Sequence, residues 1–239
     1  MNLIIDVGNT QTKLALFNED TIVSVINVPT ESILLNLHTL FKEENILNTI
    51  ISSVIKTKKE IITYLQKQSF LISLNTETKI PFNNLYKTPK TLGVDRIALM
   101  ASVHKNFPKK NVLVIDAGTC ITYDFLNANN EYFGGAIAPG LQMKYNAMHH
   151  FTAKLPLLKP KEEIPFGDST KNAMHQGVIN GTILEMDGVI NQYQQKNTNL
   201  TIVLTGGDTN LLAKLLKSSI FANPNFLLEG LNHILNYNL

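Results

Sequence analysis

Apolar and polar positions alternate through the first 28 residues in a way that predicts three strands in a row: Asn2 to Val7, Thr12 to Phe17, and a third around Thr21 to Val28, with a turn centred on Gly8. The period then changes. Ile33, Leu34, Leu37, Leu40 and Phe41 recur at helical spacing, with Thr30 as the expected N-cap. A buried strand is expected near Thr49 to Val54, and a Thr57 to Glu60 capping box opens a helix that runs to about Gln68. Phe70 to Leu74 reads as a short strand. The pattern lapses between Asn75 and Leu92 and resumes as a helix from Val94 to Phe107; a loop of that length inside a domain is usually functional.

The second half restarts the same rhythm. Val112 to Ile115, a Gly118 turn, Ile121 to Leu126 and Tyr132 to Ala138 predict three strands. Helices follow from Gly140 to Phe151 and from Ser169 to Gln195. After them come a strand Leu200 to Leu204, a helix Asn210 to Lys217, a strand near Phe226 and a final helix to about Asn236. Set 110 residues apart, Leu3, Asp6, Gly8 and Thr12 fall on Leu113, Asp116, Gly118 and Thr122. Two copies of three strands followed by alternating helix and strand predict an α/β protein of two lobes, each with a mixed sheet, divided into residues 1–109 and 110–239. A duplication of this kind places the two opening hairpins across a shared interlobe cleft, where a ligand is expected.

Composition narrows the function. A hydrophobic fraction of 44% in 239 residues supports a substantial core, and the net charge of +2 gives no reason to expect nucleic acid or an anionic membrane as partner. Apolar runs are too short for a membrane helix and the first residues do not resemble a signal peptide, so a cytoplasmic location is expected. Cys120, the single cysteine, excludes an internal disulfide and a cysteine-based zinc site, leaving oxygen ligands for any metal. All but one of the 21 basic residues are lysine; the exception is Arg96, whose planar fork suits bidentate recognition of a carboxylate or phosphate.

The repeated turns carry the candidate chemistry. In Asp6-Val7-Gly8-Asn9-Thr10-Gln11-Thr12-Lys13 an acid ends a strand, a glycine sits at the bend, and backbone N–H groups can converge on an anion. Lys13 supplies a point charge, and Asp6 suits Mg²⁺ or its waters better than it suits phosphate itself. Asp116-Ala117-Gly118-Thr119-Cys120-Ile121-Thr122 repeats the arrangement, and two such turns suit a triphosphate held from both sides. No Gly-x-x-x-x-Gly-Lys run precedes a helix, so this is not a P-loop. Thr205-Gly206-Gly207-Asp208 fits the adenosine end of a nucleotide and equally a plain strand-to-helix turn.

Taken in order, Asp6-x-Gly8-Asn9-Thr10, Tyr86-x-x-Pro89-x-x-Leu92-Gly93-x-Asp95-Arg96, Asp116-Ala117-Gly118-Thr119, Gly134-Gly135 with Pro139-Gly140, and Thr205-Gly206-Gly207-Asp208 resemble the type III pantothenate kinases. These belong to the actin, heat-shock chaperone and sugar kinase superfamily. The resemblance implies a duplicated ribonuclease H-like, actin-like ATPase fold. It also implies transfer of phosphate from ATP to pantothenate, giving 4′-phosphopantothenate in the first committed step of coenzyme A synthesis. By the same resemblance, Asp6, Val7, Gly8, Asn9, Thr10, Gln11, Thr12, Lys13 and Thr119 bind ATP. Tyr86, Gly93, Val94, Asp95, Arg96 and Thr170 line the pantothenate site, with Asp95 as the proton acceptor. Asp116 holds a monovalent cation, K⁺ or NH₄⁺, alongside the Mg²⁺ that accompanies ATP. Members of the family are homodimers with the substrate pocket near the subunit interface. Val94 departs from the alanine more usual there, though it offers mainly its backbone, and several loops are short.

Independently of the resemblance, Asp95 and Arg96 open a helix, whose positive end favours an anionic group. Arg96 thus has two candidate partners, the pantothenate carboxylate and a transferring phosphoryl oxygen. Two other functions compete: a sugar or N-acetylhexosamine kinase of the same superfamily, and a non-catalytic ATP-binding regulatory protein. No run suits a pyranose better than an anionic chain, and near-neutral charge with an intact Asp6, Lys13, Asp95, Arg96 and Asp116 set argues against the regulator. His149 and His150 are adjacent and cannot chelate from one helix face; His104 and His175 are expected to be structural, and Asp168 or Ser169 to cap the helix that Thr170 opens.

Overall fold

The protein is described here by a computed structural model, in which residues 1–8, 11–163 and 166–239 are described. The chain divides into two units, Met1–Pro108 with Phe226–Leu239, and Lys109–Asn225.

The first unit contains β1 (Asn2–Val7), β2 (Gln11–Asn18), β3 (Thr21–Pro29), α1 (Ile33–Glu43), β4 (Asn48–Ser53), α2 (Lys59–Gln68), β5 (Phe70–Ser73), a two-residue strand β6 (Asn83–Asn84) and α3 (Val94–Asn106). Its main sheet has the order β3-β2-β1-β4-β5. The β1–β2 and β2–β3 pairs are antiparallel, whereas β1–β4 and β4–β5 are parallel. The apolar run Leu3-Ile4-Ile5 buries β1 on both faces and gives it the central place, with all three side chains fully buried. Leu3, Ile5 and Val7 pack with Ile33 and Leu37 of α1 and Ile61 and Leu65 of α2.

The opposite face of this sheet is covered by the chain's last helix, α8 (Phe226–Tyr237), which contacts β1 and β4 and lies along α3. Residues 226–239 therefore complete the first unit, although the sequence repeat assigns them to the second half. Close approach makes this possible: a Cβ on Gly230 would collide with the carbonyl of Ala98 on α3. Asn2 Nδ2 on β1 donates to Asn232 Oδ1 on α8 at 2.9 Å, pairing polar atoms that would otherwise be stranded. Phe226, expected in a strand, begins α8 instead and tilts its ring against Phe107 with centroids 6.3 Å apart. A short apolar run does not by itself distinguish strand from helix.

The second unit repeats the frame with β7 (Val112–Ala117), β8 (Cys120–Leu126), β9 (Glu131–Pro139), α4 (Leu141–Phe151), α5 (Thr170–His175), α6 (Gly181–Lys196), β10 (Thr201–Thr205), α7 (Thr209–Ala213) and β11 (Phe221–Ala222). Within this unit the strands run β11-β10-β7-β8-β9, the same order and the same parallel and antiparallel senses as in the first sheet. The long helix expected from Ser169 to Gln195 is interrupted by a π-helical turn at Gln176–Asn180, with Gly177 inside it and Gly181 just after.

Three local expectations change. Thr30 lies in a 3₁₀ turn, Thr30–Ser32, ahead of α1 and is not its N-cap. The Thr57 to Glu60 capping box does not form, since α2 begins one residue later with Lys58 at the cap and no side-chain bond. The repeat also slips by one residue after the turn: Asp6 pairs with Lys13, but Asp116 pairs with Thr122. Thr122 is thus the counterpart of Lys13, and Ile121 that of Thr12. The physical reason is turn length, because β1 ends at Val7 and β2 starts at Gln11, whereas β7 ends at Ala117 and β8 starts at Cys120.

Candidate active site

In the first unit the turn after β1 is closed by the Gly8 N–H, which donates to the Gln11 carbonyl at 3.0 Å. A Cβ on Gly8 would sit 2.8 Å from that same carbonyl oxygen. The turn is tied to the approach of α1: Thr30 Oγ1 donates to the Gly8 carbonyl at 3.1 Å and lies 3.1 Å from Thr12 Oγ1. Thr12 is fully buried in this brace and Val7 is a core residue, so neither presents its side chain to solvent. Gln11 is exposed. Asn9 and Thr10 lie outside the described residues.

Asp6 and Lys13 face each other across β1 and β2. Burial pushes the Asp6 carboxyl up to about 6; the Lys13 ammonium pulls the other way, and the Asp95 carboxylate adds to the rise. The Asp6 carboxyl thus feels both Lys13, its cross-strand partner on β2, and Asp95, an acid supplied by a different element.

Asp95 stands in the first turn of α3, where its Oδ1 accepts from the Arg96 N–H at 2.8 Å. A carboxylate there also meets the positive end of the helix. Gly93 at the cap leaves room for this arrangement, since a Cβ there would displace Asp95 Oδ1. Val94 is the first helical residue. The Arg96 side chain is buried, 5% exposed, and its Cζ lies 5.5 Å from the centre of the Tyr86 ring. Tyr86 and Gly93 to Arg96, which bracket the Pro89 loop in sequence, are therefore brought together.

The second unit builds its turn differently. Gly118 N–H donates to the Cys120 carbonyl at 2.9 Å, and the Gly140 N–H donates to the Thr119 carbonyl at 3.1 Å. Gly140 has no room for a Cβ, which would collide with the Gly118 carbonyl. On the other side Gly206, at φ +96°, lies so close that a Cβ would collide with Asp116 Oδ1 and the Ala117 carbonyl. Asp208 N–H donates to that Ala117 carbonyl at 2.9 Å, and burial pushes the Asp208 carboxyl up. The glycines of Thr205-Gly206-Gly207-Asp208 thus wrap the turn that carries Asp116 and Thr119. Thr170 is the exposed first residue of α5; its neighbour Ser169 is the cap, accepting from the Asn172 N–H at 3.4 Å.

Of two hydroxyls at these sites, Ser52 escaped sequence reasoning and Thr122 entered it only as the repeat counterpart of Thr12. Ser52 Oγ and Thr122 Oγ1 are buried without a hydrogen-bond partner among the described residues. Ser52 pairs with Asp6, and Thr122 with Asp116. The available signal for Ser52 was a hydroxyl directly after the apolar pair Ile50-Ile51, at a depth visible only once β4 is paired with β1.

His104 and His175, expected to be structural, each meet a partner inside the fold: His104 Nδ1 lies 3.1 Å from His233 Nε2, and His175 Nδ1 lies 2.7 Å from the buried Tyr145 hydroxyl. An open cavity of about 450 Å³ lined by Lys109, Lys110 and Asn111 adjoins the start of β7, the opposite strand end from Asp116. Among the described residues no three His, Cys, Asp or Glu side chains cluster as a metal site, and no helix is long and apolar enough to cross a membrane.

The sequence model for type III pantothenate kinase matches residues 2–192. This chain belongs to the type III pantothenate kinase family. Type III pantothenate kinases of Flavobacterium psychrophilum and Christiangramia forsetii are 44% and 46% identical to it over 239 and 240 residues; the alignments span 99% and 100% of this chain and 99% of each relative. Its activity is accordingly type III pantothenate kinase activity. Among solved structures, a Campylobacter jejuni protein described as a Baf-family transcriptional activator superposes with a TM-score of 0.66 at 22% identity, covering 99% of this chain and 98% of that one. A Streptomyces griseus ROK-family glucokinase, solved with glucose and AMPPNP, gives 0.51 at 11% identity, covering 99% and 98%. At such identities these likenesses concern the fold alone, which is that of the actin, heat-shock chaperone and sugar kinase superfamily with two mixed-sheet lobes.

Proposed function

We propose that this pantothenate kinase uses ATP as phosphoryl donor and Asp95 as the group that takes the proton from the pantothenate primary alcohol. The oxygen attacks the γ-phosphorus in line, the bond to the β-phosphate oxygen breaks, and ADP leaves with 4′-phosphopantothenate formed. The observation that supports this reading is that the Asp6 carboxyl, an acid suited to a cation, feels both Lys13, a lysine suited to phosphate, and Asp95, a second acid suited to a proton.

Residues 6–13 act on the ATP phosphates in two ways. Val7, Gly8 and Gln11 offer backbone, with Asn9 and Thr10 proposed from the sequence. Thr12 acts by holding the turn through Thr30. Lys13 offsets phosphate charge, and Asp6 holds Mg²⁺ or its waters. One carboxylate suffices for such an ion, since Mg²⁺ keeps several waters and takes the rest of its shell from phosphate. In the second unit Thr119 offers its hydroxyl to phosphate and Gly206-Gly207 lie against the adenosine. Asp116, flanked by carbonyl and hydroxyl oxygens, has the hard donor character that K⁺ or NH₄⁺ requires. Arg96, stacked near Tyr86, receives the pantothenate carboxylate or a phosphoryl oxygen, and Gly93, Val94 and Thr170 complete the substrate contacts.

A homodimer belongs to the same proposal. Ile137, Met143, Phe151 and Leu184 are exposed apolar side chains on the second unit, which a second copy would cover. Light scattering of the purified protein tests it. The chemical step is tested by Asp95→Asn: the rate of ADP release with pantothenate should fall on the order of 10²- to 10⁴-fold while calorimetric ATP affinity is retained. Turnover near that of the native protein would remove Asp95 from the role.

A further inference from the structure

On the face of the first sheet that α8 covers, β1 and β4 run in parallel register, so that Asn2, Ile4 and Asp6 lie beside Asn48, Ile50 and Ser52. The outer pair is satisfied: Asn48 Nδ2 donates to Asn2 Oδ1 at 3.0 Å. The pair at the functional end is not. Ser52 is 0% exposed, its Oγ has no partner among the described residues, and the carboxylate of Asp6 is its neighbour across the strands. A buried hydroxyl left without a partner costs about 1–3 kcal/mol, and an alanine would fill the same space without that cost. The next residue shows the contrast, since Ser53 Oγ donates to the Ile55 carbonyl at 2.7 Å.

The second unit repeats the placement. Thr205, 1% exposed, is the parallel neighbour of Asp116 as Ser52 is of Asp6. Both candidate cation acids therefore have a buried hydroxyl at the same position of the neighbouring parallel strand.

We propose that Ser52 is a positioning residue of the kinase, whose hydroxyl donates to the Asp6 carboxylate when that carboxylate turns to hold Mg²⁺ with ATP. It touches neither substrate nor metal; it fixes the orientation of the acid that does, and the proposal rests on the reading of Asp6 given above. Support of this kind to a metal-holding carboxylate is typically worth 10- to 100-fold in affinity.

Calorimetry of ATP binding with and without Mg²⁺, together with melting of the ligand-free protein, tests it on Ser52→Ala, Ser52→Thr, Ser53→Ala and Asp6→Asn. Ser52→Ala should melt at or above the native temperature yet bind ATP about 10- to 100-fold more weakly with Mg²⁺ and unchanged without it, at a pantothenate KM within about twofold of native. Ser52→Thr should restore the Mg²⁺-dependent affinity, and Ser53→Ala should leave it unchanged. Native affinity in Ser52→Ala, beside weakened binding in Asp6→Asn, overturns the role of Ser52 alone. Native affinity in Asp6→Asn overturns the reading of Asp6 and this proposal with it. A lowered melting temperature in Ser52→Ala, with equal losses with and without Mg²⁺, marks a structural serine and also overturns it.

Discussion

The two hairpin turns share a strand frame but not a chemistry. After β1 the bend is one residue longer and a lysine stands opposite the acid; after β7 the bend is shorter and a threonine stands there. The first turn is braced from within its own element order, by Thr12 and Thr30. The second is fenced by two distant glycines, Gly140 and Gly206, whose backbones lie against it. A duplicated scaffold has thus kept the position of the acid and changed what surrounds it. A positive charge beside Asp6 suits a polyphosphate with its Mg²⁺, and neutral oxygens around Asp116 suit a weakly held monovalent ion.

The largest expected effect separates the turns by charge. Lys13→Met should lower kcat/KM for ATP about 10²- to 10³-fold, as expected for removal of a charged group aimed at phosphate, whereas Thr122→Ala should cost less than about tenfold. Equal losses would break the comparison. Next comes the fence. Gly206→Ala should destabilise the protein by about 2–4 kcal/mol in urea unfolding, because Gly206 combines φ +96° with a collision against Ala117, whereas Gly207→Ala, with open space around it, should stay within about 0.5 kcal/mol.

The third concerns pH. With its carboxyl at about 6 rather than the usual 3.8, the folded form keeps a proton that the unfolded chain has already lost. The contribution of Asp6 to stability therefore declines as pH rises from about 4 to about 6 and is level above that. Asp6→Asn should flatten this slope and raise stability at pH 7 by at most ~3 kcal/mol, as read from urea unfolding at pH 4.5 and 7.5. A slope that survives the substitution would assign it to another group. The smallest effect compares the bend glycines: Gly8→Ala should cost about 1–2 kcal/mol, since its Cβ meets the Gln11 oxygen at 2.8 Å, and Gly118→Ala well under 1, since its nearest neighbour is 4.0 Å away.

Much of this was legible in the chain. Unbroken apolar runs at residues 3–5 and 112–115 announced central strands, because a strand buried on both faces has no polar side to spare. Asp6, Gly8, Asp116 and Gly118 announced the turns, and Gly93-Val94-Asp95-Arg96 announced a helix start with an acid in its first turn. Less was legible wherever one residue of shift mattered. Equating Thr12 with Thr122 overlooked the longer first bend, which only strand pairing exposes. Thr12 itself reads as a ligand in the motif, yet its hydroxyl is spent on Thr30 inside the fold.

By itself, then, the sequence determined what short-range physics can fix: the duplicated order of elements, the family to which the chain belongs, and the residue types offered at each bend. Tertiary structure alone decided that residues 226–239 return to the first unit, because a bare glycine at 230 lets α8 settle onto α3. It alone set Asp95 within electrostatic reach of Asp6, and Ser52 beside that same acid with no hydrogen-bond partner for its hydroxyl among the described residues. Such neighbours are dozens of residues apart along the chain, and periodicity carries no information about contacts made across that distance.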